Sequence, residues 1–221
     1  MTGYRESHQP PRCKFIVVSG CNGVGKSTVV RALQDRVDAA TFHYTAEFIR
    51  FREEVGLDTK VSAVPRLLYY LAATMHVSDL VREQLARRHV ICDRYLESPV
   101  SLLIAESALS DGDLDGICDP FRSYLCAPDL TLLLTAGYDT ACARIRQRLP
   151  ARCTRVEQVV LQSPAFFHRR EVALRLHASK LGSVRELDTT ALNVSEMCHS
   201  AWMLVAELLD SRRSSALPLR Q

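Results

Sequence analysis

The chain reads as an α/β domain with a parallel sheet covered by helices on both faces. Three observations predict it. Short apolar segments alternate along the chain with longer segments of helical periodicity. The first apolar segment runs into Gly20-Cys-Asn-Gly-Val-Gly-Lys-Ser27, which fits G-x-x-x-x-G-K-[ST]. The third ends in an acid followed by an arginine, Asp93-Arg94. Ligands of such sheets sit outside the carboxyl ends of the strands, so both features are expected on one edge.

The elements follow in order. Residues 14–19 (Lys-Phe-Ile-Val-Val-Ser) form a β-branched run suited to a buried parallel strand. After the glycine loop, residues 28–37 place Val29, Leu33 and Val37 at helical spacing. Thr41 to Tyr44 predicts the second strand. Val64 to Arg88 predicts one long helix, with Leu67, Leu71, Met75, Leu80 and Leu85 near one face. His89 to Asp93 predicts the third strand and Leu96 to Ser107 a helix. Residues 110–116 (Ser-Asp-Gly-Asp-Leu-Asp-Gly) read as a polar turn. Residues 128–135 predict the fourth strand, 139–148 a helix, 149–154 a break, and helix again from Val156. Residues 183–188 predict the fifth strand. Asn193-Val-Ser-Glu196 resembles a capping box that opens a last helix, ending near Asp210. Residues 1–11 and 211–221 read as flexible tails around a domain of residues 12–210.

Composition narrows the class. A chain of 221 residues with 47 % apolar content supports one large core. A net charge of +3 is too small to argue for nucleic acid or an anionic membrane surface as partner. No apolar run approaches the roughly 18 residues of a membrane span, and the first residues lack a signal-peptide core, so the expected location is cytoplasmic. Eight cysteines without a C-x-x-C pair predict reduced thiols, not disulfides or a zinc site.

The glycine loop carries the sharpest chemistry. Its backbone amides curl around an oligophosphate, Lys26 reaches the β- and γ-phosphates, and the Ser27 hydroxyl ligates Mg²⁺. Gly20, Asn22, Gly23, Val24, Gly25, Lys26, Ser27 and Thr28 would form this cradle. The helix that follows adds its partial positive charge. Cys21 lies inside the loop, which predicts that thiol reagents block nucleotide binding and that bound nucleotide protects. Asp93 can hold Mg²⁺ through water, and Arg94 can pair bidentately with a phosphate.

On these residues the chain resembles the thymidylate kinase family of nucleoside monophosphate kinases. The resemblance covers most of residues 13–209. It rests on the glycine loop, on Val90-Ile-Cys-Asp-Arg-Tyr95 with Ser98 following, and on Pro128-Asp-Leu130. Arg144-Ile-Arg-Gln-Arg148, Arg155-Val-Glu-Gln158, Phe166-Phe-His-Arg169 and Asp188-Thr-Thr190 add to it. It implies a five-stranded parallel sheet in the order 2-3-1-4-5, with a lid over about 149–155. It also implies ATP and Mg²⁺, a small-molecule phosphoryl acceptor, and a possible homodimer through a helix face. Lys26, Asp93, Arg94, Arg148 and Arg155 would be catalytic. Ser27 and Asp93 would serve the metal, and Arg144, with Arg148 and Arg155, would close over ATP.

The acceptor half departs from the family. The loop position that normally carries an acid facing the acceptor sugar is Asn22. The family's Arg-Glu-Pro-Gly segment after the second strand is missing, leaving Arg50 as a displaced substitute. The base-stacking ring survives as Tyr69, whereas the base-reading arginine is Ala73. Leu102 and Leu103 stand where a Tyr-Gln pair is usual. Asn22, Arg50, Tyr69, Arg94 and Ser98 are therefore the expected acceptor residues. Besides phosphoryl transfer to a nucleoside monophosphate, dTMP or a relative, two readings stay open: a kinase of an uncharged hydroxyl, and an ATP-binding member without catalysis. A GTPase switch is disfavoured. Asp113-Leu-Asp-Gly116 matches D-x-x-G by letter, but no Asn-Lys-x-Asp motif exists.

Overall fold

Strand β1 (Phe15–Gly20) is buried along its whole length, and its two-residue alternation divides the core. Ile16 and Val18 face one side, packing with Val29, Leu33, Leu132, Phe167 and Val205. Phe15 and Val17 face the other, with Val77, Val81, Val90 and Cys92. A strand apolar on both faces needs helices on both, which accounts for the layered architecture of this computed structural model. It describes residues 13–43, 46–148 and 153–210, with backbone alone at 46 and 47.

Four further strands complete the sheet: β2 (Ala39–Phe42), β3 (His89–Asp93), β4 (Leu130–Thr135) and β5 (Val184–Asp188). All pairs are parallel and the order is β2-β3-β1-β4-β5. The register sets the functional edge. Val18 pairs with Asp93, Gly20 with Leu134, and Thr135 with Asp188. The ends of β1, β3, β4 and β5 thus open on the same side.

The helices are α1 (Lys26–Gln34), α2 (Ala46–Glu54), α3 (Leu57–Lys60), α4 (Ala63–Leu85), α5 (Glu97–Ala105), α6 (Asp111–Cys118), α7 (Tyr138–Gln147), α8 (Arg155–Gln162), α9 (Pro164–Ser179) and α10 (Val194–Asp210). The core on one face draws on α1, α7, α9 and α10. On the other face α4 contributes Val77 and Val81, while its N-terminal half packs Leu67 and Leu71 against α5 and α6. The buried stripe of α4 includes Thr74 and Ser78, and only Leu67 and Leu71 of the five residues expected on its apolar face are fully buried. Both hydroxyls fit because each donates to the carbonyl four residues back, Thr74 to Tyr70 at 2.8 Å and Ser78 to Thr74 at 2.9 Å.

Four local expectations change. The second strand begins earlier, at Ala39, and Tyr44 lies outside the described residues. Residues 110–116 are not a turn but the start of α6. The Ser110 hydroxyl accepts from the Asp113 amide at 3.2 Å, and the Asp113 carboxylate accepts from the Ser110 amide at 3.0 Å. Asp113-Leu-Asp-Gly116 is therefore helical, with no loop to serve as a switch. Helices α2 and α3 fill a stretch that had no assignment. The helix from Val156 is two helices, because Ser163 caps α9 and Pro164 cannot continue α8. Of the expected lid, residues 149–152 lie outside the described residues, as do the two tails.

All eight cysteines are free thiols, and Cys21, Cys92, Cys118 and Cys142 are buried. Among the described residues no helix is long and apolar enough to cross a membrane.

Candidate active site

The glycine loop turns tightly because its glycines permit it. Gly23 and Gly25 have φ of 87° and 100°, a region that side chains disfavour. A Cβ at Gly25 would also sit 2.5 Å from the Met197 sulfur. No side chain caps α1, whose N-terminus follows directly on Gly25. Its leading amides are left for an anion, reinforced by the helix dipole. Lys26 is buried, and its ammonium donates to the Cys21 carbonyl. Burial, with help from Arg94, pushes its pKa well down against the pull of Asp93. Incoming phosphate would relieve that strain on the charged form.

Asp93 ends β3 facing this loop. Its Oδ1 is buried with no hydrogen-bond partner, while its backbone carbonyl bonds His43 Nδ1 at 2.8 Å. Arg94 follows with φ of 76°, unusual for a side-chain-bearing residue. That twist turns its guanidinium toward Gly20 O at 3.4 Å and Ser98 Oγ at 2.9 Å. Glu97 supports the corner from beneath. It is buried and accepts from Ser19 Oγ at 2.6 Å and the Tyr95 amide at 3.1 Å, tying β1 to the start of α5. Burial pushes its carboxyl pKa up, against those two hydrogen bonds.

Two cavities meet here, named for the substrate expected on each side. The donor cavity, about 910 Å³, is lined by the glycine loop, Asp93, Arg94, Arg144, Arg148 and the Leu192–Met197 segment. The acceptor cavity, about 340 Å³, is lined by residues including Arg52, Asp58, Tyr70, Ser98, Arg155 and Arg170. Asn22, His43, Arg94 and Thr154 line both. These four residues mark the junction between the two cavities.

The expected residues distribute between these cavities with some exceptions. Gly23, Gly25, Lys26, Ser27, Thr28, Asn22, Asp93, Arg94, Arg144 and Arg148 line the donor side. Gly20 and Val24 shape the turn from behind, Val24 being fully buried. Arg144 grips the loop after β5, donating to Thr189 Oγ1 at 2.9 Å and Thr189 O at 2.7 Å. Arg148 reaches Glu157 at 3.1 Å. Arg155 lines the acceptor cavity instead of closing over the donor, and it donates to the Asp58 carbonyl. Ser98 also lines the acceptor cavity. Arg50 is exposed and lines neither cavity; Arg52, two residues on, does. Tyr69 packs against Phe48 and Phe51, and the neighbouring Tyr70 faces the cavity with its hydroxyl 2.6 Å from Asp58. Ala73 is buried, Leu103 is core, and Leu102 gives the cavity an apolar wall.

Sequence reasoning missed Glu97 and Arg170. Arg170 is buried on α9 and donates to Asn22 Oδ1 at 2.8 Å. The signal was present: Phe167, Arg170, Leu174 and His177 fall at helical spacing on the buried stripe. A charge within such a stripe needs an explanation. Asn22 also faces Glu157. Burial pushes that carboxyl up, but Thr154, Arg148 and Asn22 together outweigh it and hold it below the usual range.

A glycine loop between β1 and α1, an acid–arginine pair on the adjacent strand and a second cavity across from the loop define a P-loop kinase. The sequence matches the thymidylate kinase family over residues 18–192, and the chain belongs to that family. It is 33 % identical to the thymidylate kinase of Methylococcus capsulatus over 187 residues, 79 % of this chain and 86 % of that one. A probable thymidylate kinase of Methanocaldococcus jannaschii is 29 % identical over 137 residues, covering 61 % and 70 % of the two chains. Among solved structures, thymidylate kinase from Candida albicans shares the fold with a TM-score of 0.69 at 18 % identity, covering 88 % of this chain and 92 % of that one. Deoxyadenosine kinase from M. mycoides, solved with bound dATP, has a TM-score of 0.63 at 16 % identity, covering 87 % and 99 %.

Proposed function

We propose that the protein transfers the γ-phosphoryl of ATP to a nucleoside monophosphate, dTMP or a related nucleotide. The observation that carries this reading is the junction at Arg94, where a phosphate-binding loop and an arginine-rich second cavity share their lining. An oxygen of the acceptor phosphate forms the new bond to the γ-phosphorus. The bond from that phosphorus to the β,γ-bridging oxygen breaks, giving ADP and a nucleoside diphosphate. A phosphate dianion attacks without releasing a proton, so no general base is required.

The chain's own groups then act mainly by position and charge. The α1 amides and Lys26 hold the donor phosphates. Arg94, fixed by Ser98 and the Gly20 carbonyl, lies where charge spreads during transfer. Arg144 and Arg148 flank the donor, and Thr154 and Arg155 lead toward the acceptor. Asp93 with its unpartnered buried oxygen, and the Ser27 hydroxyl in the same cavity, fit Mg²⁺. That cation, when bound, neutralises phosphate charge. Among the described residues no cluster of three His, Cys, Asp or Glu could hold a metal alone, which suits an ion shared with the substrate.

The fold is common to a thymidylate kinase and a deoxyadenosine kinase, so fold alone does not choose between a phosphorylated and an uncharged acceptor. The arginines of the acceptor cavity favour the phosphorylated one. Lys26→Ala tests the donor half. ATP consumption with the best monophosphate should fall roughly 100-fold or more while the fold, followed by circular dichroism, persists. Unchanged turnover would remove the glycine loop from the reaction.

A further inference from the structure

Arg170 is a cation of the acceptor cavity that no carboxylate among the described residues pairs with directly. The residue is 3 % exposed. Nη1 is spent on Asn22, and Nε is buried with no hydrogen-bond partner. Among the described residues no carboxylate lies within 4.0 Å of its guanidinium. Arg66 makes the contrast: it is equally buried, but Glu106 answers it. The other two peripheral arginines of the cavity are also answered. Arg52 lies 3.5 Å from Asp58, and Arg155 donates to the Asp58 carbonyl and lies 4.0 Å from Glu106.

A buried cation without a carboxylate in contact is costly. Burial and the repulsion of Arg94 outweigh the pull of more distant groups, Glu106 among them, and push the Arg170 guanidinium pKa down to about 10, so it stays charged at neutral pH. Asn22 sharpens the point. An acid at position 22 would form a buried ion pair with Arg170 and cancel its charge. The neutral amide oxygen orients the guanidinium and leaves the charge for something outside the chain. Arg94 and Arg170 line the same cavity beside Asn22 and Ser98.

We propose that Arg170, with Arg94, binds the anionic phosphate of the acceptor, so that the second substrate arrives already phosphorylated. This rests on the kinase reading above and narrows it. An uncharged hydroxyl acceptor would leave a buried guanidinium unanswered, the arrangement by which polar sites reject the wrong ligand.

The test is steady-state kinetics on Arg170→Met, Arg170→Lys and Asn22→Asp, using ATP and whichever monophosphate the parent protein turns over best. Arg170→Met should raise the acceptor KM roughly 10- to 100-fold, with the ATP KM within about twofold. Arg170→Lys should recover part of the loss, and Asn22→Asp should weaken the acceptor by neutralising the site. Without ligand, Arg170→Met should melt no lower than the parent, because it removes an unanswered buried charge. An unchanged acceptor KM, or a lower Tm with equal damage to both substrates, would overturn the proposal in favour of a structural arginine. Should the parent turn over no monophosphate, the kinase reading falls, and Arg170 is tested separately with inorganic phosphate while ADP fills the glycine loop. Phosphate raising the Tm of the parent and not of Arg170→Met would support the anion site; equal shifts would overturn it.

Discussion

Two residues beside the glycine loop show how burial sets reactivity. Cys21 is 2 % exposed with its thiol 3.9 Å from the Phe167 carbonyl, and burial pushes its pKa up against the pull of Arg170 and Lys26. The position in the loop predicts a thiol whose modification blocks nucleotide binding; its burial and raised pKa argue for slow modification instead. Alkylation followed by mass spectrometry should label Cys21 in the native protein far more slowly than in denaturant, with ATP adding little protection. Fast native labelling that ATP blocks would restore the earlier expectation. Glu97 gives a pH signature. Because burial raises its folded pKa, the native state keeps the proton to higher pH than the unfolded chain. The stability this contributes is present in acid and is lost as pH rises from the ordinary value of 4.5 upward. Glu97→Gln keeps an acceptor for Ser19 and Tyr95 without the charge. Its Tm should gain on the parent as pH increases through that window; parallel Tm curves would contradict the assignment.

At the scale of elements, local signals were legible and helix phase was not. The strand, glycine turn and helix around residues 14–37 announce themselves by composition and spacing. So does the α10 cap, where the Glu196 amide donates to Asn193 Oδ1 at 3.0 Å. The glycines at 112 and 116 disguised α6, because turn residues outweigh a Ser-x-x-Asp capping pair in a short polar stretch. On α9 the family resemblance rests on Phe166-Phe-His-Arg169, whose arginine bonds the Ala105 carbonyl outside the acceptor cavity. Arg170, one residue and about 100° further round the helix, faces that cavity. The acceptor side joins residues from α2 to α4, α5, α8 and α9, and no local pattern announces such an assembly. The break between α8 and α9 carries its own prediction. The Phe166 amide donates to Ser163 Oγ at 3.1 Å. Ser163→Ala should cost about 1 kcal/mol and lower Tm by about 2–4 °C. No change in a thermal melt would mean that Pro164 alone sets the helix start.

At the scale of the whole molecule, one sheet edge gathers two sites of different origin. The donor half is centred on a local motif, read from eight consecutive residues, that distant arginines and the start of α10 complete. The acceptor half is a tertiary construction in which Asn22 holds Arg170 and leaves its charge available. Strand β1 carries core on both of its faces, so a ligand held at the loop that follows it should stabilise the entire domain. At a hundred times its dissociation constant, ATP should add about 2.7 kcal/mol to stability and raise Tm accordingly. Lys26→Ala should lose most of that shift. The central claim, that phosphate is carried from ATP to an already phosphorylated nucleotide, is tested most directly by ATP consumption across a panel of nucleoside monophosphates and the matching nucleosides. At least one monophosphate, dTMP or a close relative, should support turnover while its nucleoside does not. Turnover with nucleosides alone, or with no member of the panel, would contradict it.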